Sequence, residues 1–295
     1  MPSTQDYEFV RRLSRRGQEA GAQNRGLELH RDRRSKLFVV KKILMRGGHR
    51  RHLEVEVLRH LAQYKHTSIS KYMGHGGDSL FIEYCDLGAL DSFIRRSIEE
   101  RGACLPERFL WHTLQELTGA LAFLHWGTDA SRHISRRDDW DYIIHRDFKP
   151  NNIFMTSGPG LYPRIILGDF GCSTTASERS PRDAAGTVAF RPPGELYTQS
   201  SDMWALGAVV LILMGARDQY NQPIRNPGAR GYSPRLIRLT NFLRKLDPSA
   251  RPRACDFLDT IDDQLRKGIR EGTISRRCQS LPQEYFTAGE RQPSR

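Results

Sequence analysis

The chain has no CxxC pair, no apolar run long enough to cross a bilayer and no repeat at a fixed period. Its five cysteines, Cys85, Cys104, Cys172, Cys255 and Cys278, are odd in number and widely spaced. That argues against a disulfide framework and against zinc. A reducing intracellular compartment, cytoplasm or nucleus, is the expected setting. The longest apolar run, WALGAVVLILMGA (204–216), falls short of the ~20 residues of a spanning helix and is expected as a buried core helix. The opening stretch, MPSTQDYEFVRRLSRR, has no apolar run behind its charges, unlike a secretory leader. Acidic residues are in deficit, 34 Asp and Glu against 46 Lys and Arg, for a net charge of +12. The excess suits nucleotides, phosphoproteins, nucleic acid or anionic membrane surfaces as partners, or else a solvated basic surface. The arginines fall in short clusters with no aromatic ladder between them, so no specific nucleic-acid partner is expected.

What is present describes a globular chain. Hydrophobic residues make up 38% and charged residues 27% of 295, enough for one large domain or two lobes. The first part alternates short β-branched and aromatic stretches, LFVVKKIL (37–44), ISKYM (69–73) and SLFIEY (79–84), with polar or glycine-bearing turns, which predicts strands. Within it, HLEVEVLRHLA (52–62) spaces Leu53, Val57, Leu58 and Leu61 as a helix does. Beyond residue 86, ALDSFIRRSIEE (89–100), ERFLWHTLQELTGALAFLH (107–125) and the stretch from SDMWALG read as helices, with Pro106 placed where a helix start tolerates it. The expected architecture is α+β in two lobes: a β-rich part over about 7–85, a mainly helical part over about 86–265, and a basic, mobile tail over 266–295.

The chemistry concentrates in His145-Arg146-Asp147-Phe148-Lys149-Pro150-Asn151-Asn152 and, a hairpin's length later, Asp169-Phe170-Gly171. This ordered pair resembles the catalytic and metal-binding loops of protein kinases. The resemblance implies a two-lobed kinase fold with ATP and Mg2+ in the cleft, and protein substrates that accept phosphate on Ser or Thr. Phosphoryl transfer has a loose transition state, so the enzyme positions groups and neutralises charge. Asp147 is then the base that orients and deprotonates the attacking hydroxyl, and Asn152 and Asp169 offer the hard oxygens that magnesium prefers. Lys149 offsets charge on the moving phosphoryl group, and a lysine there resembles the serine/threonine class. His145 and Phe170 are read as structural.

Further stretches extend the resemblance over about 7–265. LFVVKKI (37–43) resembles the third strand, with Lys41 as the phosphate-contacting lysine and Lys42 as the alternative register. Glu54, with Glu56 as alternative, is its helix partner. SLFIEYCDLGAL (79–90) resembles the last small-lobe strand and the hinge, so that Glu83 and Cys85 meet adenine and Ile82 guards the back of the pocket. Val39, in the place of the usual alanine, and Phe154 line the same pocket. GTVAFRPPGE (186–195) resembles the end of the activation segment. Asp202 is expected to brace the catalytic loop, and Arg251 to pair with Glu195. The order of motifs is most similar to the NIMA-related branch.

The sequence also departs from the family pattern. The glycine-rich loop reduces to GAQNRGLEL (21–29), with Gly21 and Gly26 in the outer places and Gln23 in the middle one, which weakens the phosphate cradle. The alternative reading is therefore a kinase-fold scaffold with weak or lost transfer, and a small-molecule kinase is a third option. HWGTDASRHISRRDDWDYII (125–144) replaces a linker of a few residues, PPGE carries one inserted residue, and the stretch 215–231 is short. Arg146 is expected to bind a phosphate placed on Ser173, Thr174, Thr175, Ser177 or Ser180 by an upstream activating kinase. Arg11-Arg12-Leu13-Ser14 is read as a basic-directed phosphorylation site or as a charged strand face, and Cys172 as an accessible thiol.

Overall fold

The computed structural model describes residues 6–13, 24–44, 49–128, 140–177, 186–194, 197–216 and 231–286. Five antiparallel strands form the small lobe: β1 (Tyr7–Arg12), β2 (Asn24–Asp32), β3 (Phe38–Leu44), β4 (Tyr72–Gly76) and β5 (Ser79–Glu83), in the order β1-β2-β3-β5-β4. Successive side chains of a strand point to opposite faces. On one face Tyr7 stacks on Phe81 at 4.2 Å and Val39 is fully buried beside them, which makes a small core of its own. The helix α1 (His49–Leu61) sends Val57, Leu58 and Leu61 into a different, larger core, which it shares with the helical lobe.

The helical lobe is organised by α3 (Glu107–Trp126) and α4 (Gln199–Leu213). Leu110, Trp111, Leu114, Leu117, Leu121 and Leu124 recur at helical spacing and are completely buried. The apolar run expected as a core helix is α4, buried from Ser201 to Leu213 and begun by a capping box between Thr198 and Ser201. The expected helix at 89–100 is divided: β6 (Gly88–Ala89) leads into α2 (Leu90–Ile94), and a π-helical turn follows over Arg95–Glu99. The catalytic stretch lies among β7 (Ile143–Ile144), β8 (Ile153–Thr156), β9 (Arg164–Leu167) and β10 (Thr174–Thr175). β6, β8 and β9 form one small sheet, and β7 pairs with β10. The helices α5 (Pro234–Leu243) and α6 (Ala254–Arg270) close the lobe.

The segment expected to be a mobile tail is anchored through residue 286. The side chain of Ile274 is buried against Gly268, where a Cβ would come within 2.4 Å of it. Phe286 is 8% exposed and packs on Phe93 of α2, with ring centroids 5.5 Å apart. Arg96 donates to the Tyr285 carbonyl at 3.1 Å. Sequence charge hid these anchors, because the apolar residues that seat the segment are few and far apart. Among the described residues no helix is long and apolar enough to cross a membrane.

Candidate active site

Strand β3 delivers one buried lysine to the cleft. The Lys42 Nζ lies 2.8 Å from Glu54 Oε1 and 2.6 Å from Asp169 Oδ1, and its side chain is 4% exposed. Burial works against the ammonium, but Glu54 and Asp169 outweigh it and hold it above the ordinary lysine pKa. Burial pushes the Glu54 carboxyl up, with Lys42 drawing it back and Asp169 adding to the rise. At Asp169 burial is outweighed by Lys42, His145 and Lys149, which keep the carboxyl below its usual range. One cation thus joins the sheet, the helix α1 and the Asp169 loop. The lysine that meets Glu54 is thus Lys42 and not the expected Lys41.

That shift of one residue carries a second correction. A one-residue slip reverses every side chain of a strand. Val39, expected in the nucleotide pocket, is packed with Tyr7 and Phe81 on the opposite face from Lys42. Val40, two residues before Lys42 and therefore on its face, is opposite Ile82 and Leu29 in the ladders.

The second half of the site is built on Asp202 of α4. Its carboxylate accepts from the backbone N–H of His145 at 2.8 Å and of Arg146 at 3.1 Å, and meets His125 Nε2 at 3.1 Å. His145 Nε2 lies 3.0 Å from the Gly168 carbonyl, which joins the two loops. These bonds maintain a left-handed backbone at Arg146 (φ 67°) and Asp169 (φ 59°), a conformation that costs non-glycine residues about 1–3 kcal/mol each. Asp147 is thereby presented at the cleft. Its Oδ2 accepts from Asn152 Nδ2 at 2.9 Å and pairs with Lys149 Nζ at 2.9 Å. Its Oδ1 accepts from Thr187 Oγ1 at 2.8 Å, and Lys149 donates to the same hydroxyl at 2.8 Å. Asn152 spends its amide N–H groups on Asp147, so its Oδ1 is turned out as an acceptor. A carboxylate and an amide oxygen form a donor set that fits magnesium, which takes few protein oxygens and completes its shell with phosphate and water.

Comparison with known proteins now decides the family. Residues 20–265 match the protein kinase domain. The chain belongs to the protein kinase family. Its curated relatives include the probable serine/threonine-protein kinase zyg-1 of Caenorhabditis elegans, 28% identical over 249 residues, 82% of this chain and 31% of that protein. The G2-specific protein kinase nimA of Emericella nidulans is 27% identical over 228 residues, 67% of this chain and 32% of that protein. The human serine/threonine-protein kinase Nek2 is 28% identical over 228 residues, 71% of this chain and 46% of that protein. The matched part of the chain thus spans between about a third and half of each relative's length. The expected resemblance to the NIMA-related branch agrees with the names of several relatives.

The other expected residues of the kinase site fall as follows. Glu83 ends β5, where its N–H donates to the Lys71 carbonyl at 3.0 Å and its carboxylate accepts from the Lys71 N–H at 2.8 Å. Cys85 follows in the link between the lobes; its carbonyl accepts from Gly88 N–H at 3.1 Å, and burial pushes its thiol pKa up. Phe154 faces Ala89 across the β6–β8 pairing, and its ring would lie 3.0 Å from a Cβ at Gly168. It therefore stands between the hinge and the Asp169 loop. Gly26 sits at a bulge in β2, one ladder step from the Leu27–Lys42 pair, with φ 151°. Gly21, Gln23, Ser14, Ser180 and Glu195, and so the Glu195 partner expected for Arg251, lie outside the described residues. Arg251 donates to the carbonyls of Lys245, Leu246 and Ser200 at 2.7, 3.0 and 3.1 Å.

Two further groups bear on the site. Thr187 bridges Asp147 and Lys149, yet the sequence offered only its place in a segment-end motif and no chemical signal of its own. Of the expected phosphorylation positions, Ser173 and Thr174 are buried, Thr175 is half-buried and Ser177 is exposed. Arg146 and Arg191 lie over the Tyr197 ring at 4.9 and 5.1 Å, which brings two cations to the base of the segment. All five cysteines are free thiols, and Cys172 is half-buried.

Proposed function

We propose that this domain is an active serine/threonine protein kinase. The observation that carries the reading is the set around Asp147, with Lys149, Asn152 and Thr187 all within 2.9 Å of its carboxylate or of one another. A substrate hydroxyl that enters beside Asp147 gives up its proton to that carboxylate as its oxygen bonds to the γ-phosphorus and the β–γ bond breaks, releasing ADP. Lys149 offsets the charge that gathers on the transferred group, and Lys42, held by Glu54, orients the phosphates. Magnesium held by Asp169 and Asn152 would neutralise the nucleotide. Val40, Ile82 and Phe154, with the Glu83–Cys85 backbone, line the adenine end. Protein Ser and Thr residues are the proposed acceptors, and activation by an upstream kinase through Thr175 or Ser177 fits their exposure. The five free thiols suit a reducing compartment, cytoplasm or nucleus.

The test is magnesium-dependent phosphate transfer to a generic basic protein, with phosphoamino-acid analysis of the product. We expect label on serine and threonine and a fall of at least about 10²-fold for Asp147→Asn. Nucleotide binding without transfer in the wild-type protein would overturn the reading in favour of a scaffold.

A further inference from the structure

Near the end of the unusual linker 125–144 stand two residues, Trp140 and Asp141, that the transfer chemistry leaves unused. The Trp140 ring lies 5.0 Å from His60, 5.3 Å from Tyr64 and 5.3 Å from Phe123, centroid to centroid. His60 belongs to the last turn of α1, and Tyr64 follows that helix closely. The Trp140 indole N–H donates to the Leu124 carbonyl at 2.9 Å, one of the end carbonyls that α3 cannot pair within itself. Room for the ring is made at Gly127, the left-handed cap of α3 with φ 68°. A Cβ at that position would come within 2.7 Å of Trp140 Cδ2. A side chain there would both strain the backbone and displace the indole.

The next residue reaches the opposite way. Asp141 accepts from the Ser177 hydroxyl at 2.7 Å and from its N–H at 3.2 Å. The Tyr142 carbonyl accepts from Ala176 N–H at 3.0 Å, and β7 then pairs with β10 through Ile144, the residue before His145. Consecutive residues thus hold the end of the helix that carries Glu54 and the start of the activation segment. The position of α1 matters because the Glu54 that meets Lys42 rides on this helix, whose Val57, Leu58 and Leu61 pack in the same core as Leu80, the ladder partner of Lys42.

We propose that Trp140 and Asp141 are positioning residues: Trp140 fixes α1 where Glu54 meets Lys42, and Asp141 fixes residues 174–177 against the strand that enters the catalytic loop. The inference rests on the transfer activity proposed above, but it can be judged separately from it. The test uses the full chain with Trp140→Ala, Trp140→Phe and Asp141→Ala, and Trp140→Ala again in a Glu54→Gln background. We expect Trp140→Ala to lower kcat about tenfold with the protein-substrate KM within about twofold, and Trp140→Phe to restore most of the loss. In the Glu54→Gln background the same change is expected to cost less than about twofold, because both act through one ion pair. Amide exchange over 53–61 should quicken in Trp140→Ala, and over 174–177 in Asp141→Ala. An equal loss of kcat in both backgrounds, or unchanged exchange in α1, would reduce Trp140 to a core-filling ring and overturn the proposal. If Trp140→Ala does not fold, the smaller loss in Trp140→Phe and the exchange of Asp141→Ala decide by the same criteria. If the wild-type protein transfers no phosphate, the kinase reading falls, and exchange in α1 alone decides this one.

Discussion

The sheet lobe and the helical lobe hold their parts of the site by different means. The separate core of the sheet is Tyr7, Val39 and Phe81 with Met73 beside them, and Lys42 reaches the cleft only because β3 pairs in one register with β2 and β5. The helical lobe places Asp147, Lys149 and Asn152 within one short loop and fixes that loop with a single buried carboxylate, Asp202. In the first case position depends on pairing between distant segments. In the second it follows from contiguous sequence. The two meet at Lys42, whose ion pairs with Glu54 and Asp169 join β3 to α1 and to the Asp169 loop. Breaking a buried pair by removing one partner typically costs about 3–5 kcal/mol, so the junction is strong only while all its members stand.

The contrast can be broken first on the helical side. Asp202→Ala strands the N–H groups of His145 and Arg146 and the His125 ring, all buried. We expect a loss of about 3 kcal/mol or more in urea unfolding, with transfer falling at least about 10²-fold as the loop relaxes. A milder test separates the two faces of β3. Val39→Ala should cost about 2 kcal/mol of stability and leave the ATP KM unchanged, while Val40→Ala should alter the ATP KM with the smaller loss of stability. Equal effects on KM would show that the faces are wrongly assigned. Phe286→Ala should cost about 2 kcal/mol, below the usual range for a core phenylalanine because the residue sits at the end of an anchored segment. Thermal unfolding measures it, and an unchanged Tm would detach the segment from the lobe.

The smallest effect concerns the hinge in acid. Asp86 accepts from Thr156 Oγ1 and Ser157 Oγ at 2.6 Å each and from Ser157 N–H at 2.8 Å. Burial opposes its charge, but these hydrogen bonds prevail and hold its carboxyl below the usual range. A depressed carboxyl stabilises the fold above its unfolded pKa, about 3.9, and the contribution is lost as pH falls through the lower folded value. Asp86→Asn should therefore lower stability by about 1 kcal/mol at neutral pH, with the gap from wild type closing below about pH 4. A gap that widens in acid would reverse the sign.

Legibility in the sequence follows the same division. Asp147, Lys149, Asn152 and Asp169 could be picked out because short motifs keep their members within a few residues; Lys149 and Asn152 meet the Asp147 carboxylate, and Asp169 meets Lys42. The helices α3 and α4 were readable from periodicity and from a long apolar run. The adjacent Lys41 and Lys42 were not separable, because each fits a strand and only pairing with β2 and β5 decides which faces the cleft; Val39 was misplaced by the same slip. Thr187 and Trp140 gave no local signal, since their roles arise from contacts with residues 40 and 80 positions away in the chain. The split of the 89–100 helix by a π-turn is likewise invisible to a pattern of period 3.6.

The measurement that tests the junction most directly is thermal unfolding with and without ATP and magnesium, for the wild-type protein, Lys41→Met and Lys42→Met. A ligand at a hundred times its Kd stabilises by about 2.7 kcal/mol, which is about 5–10 °C for a domain of this size. We expect that shift in the wild-type protein and in Lys41→Met, and its loss in Lys42→Met. A Lys42→Met protein that keeps the shift while Lys41→Met loses it would contradict the register of β3 and with it the site built on Lys42.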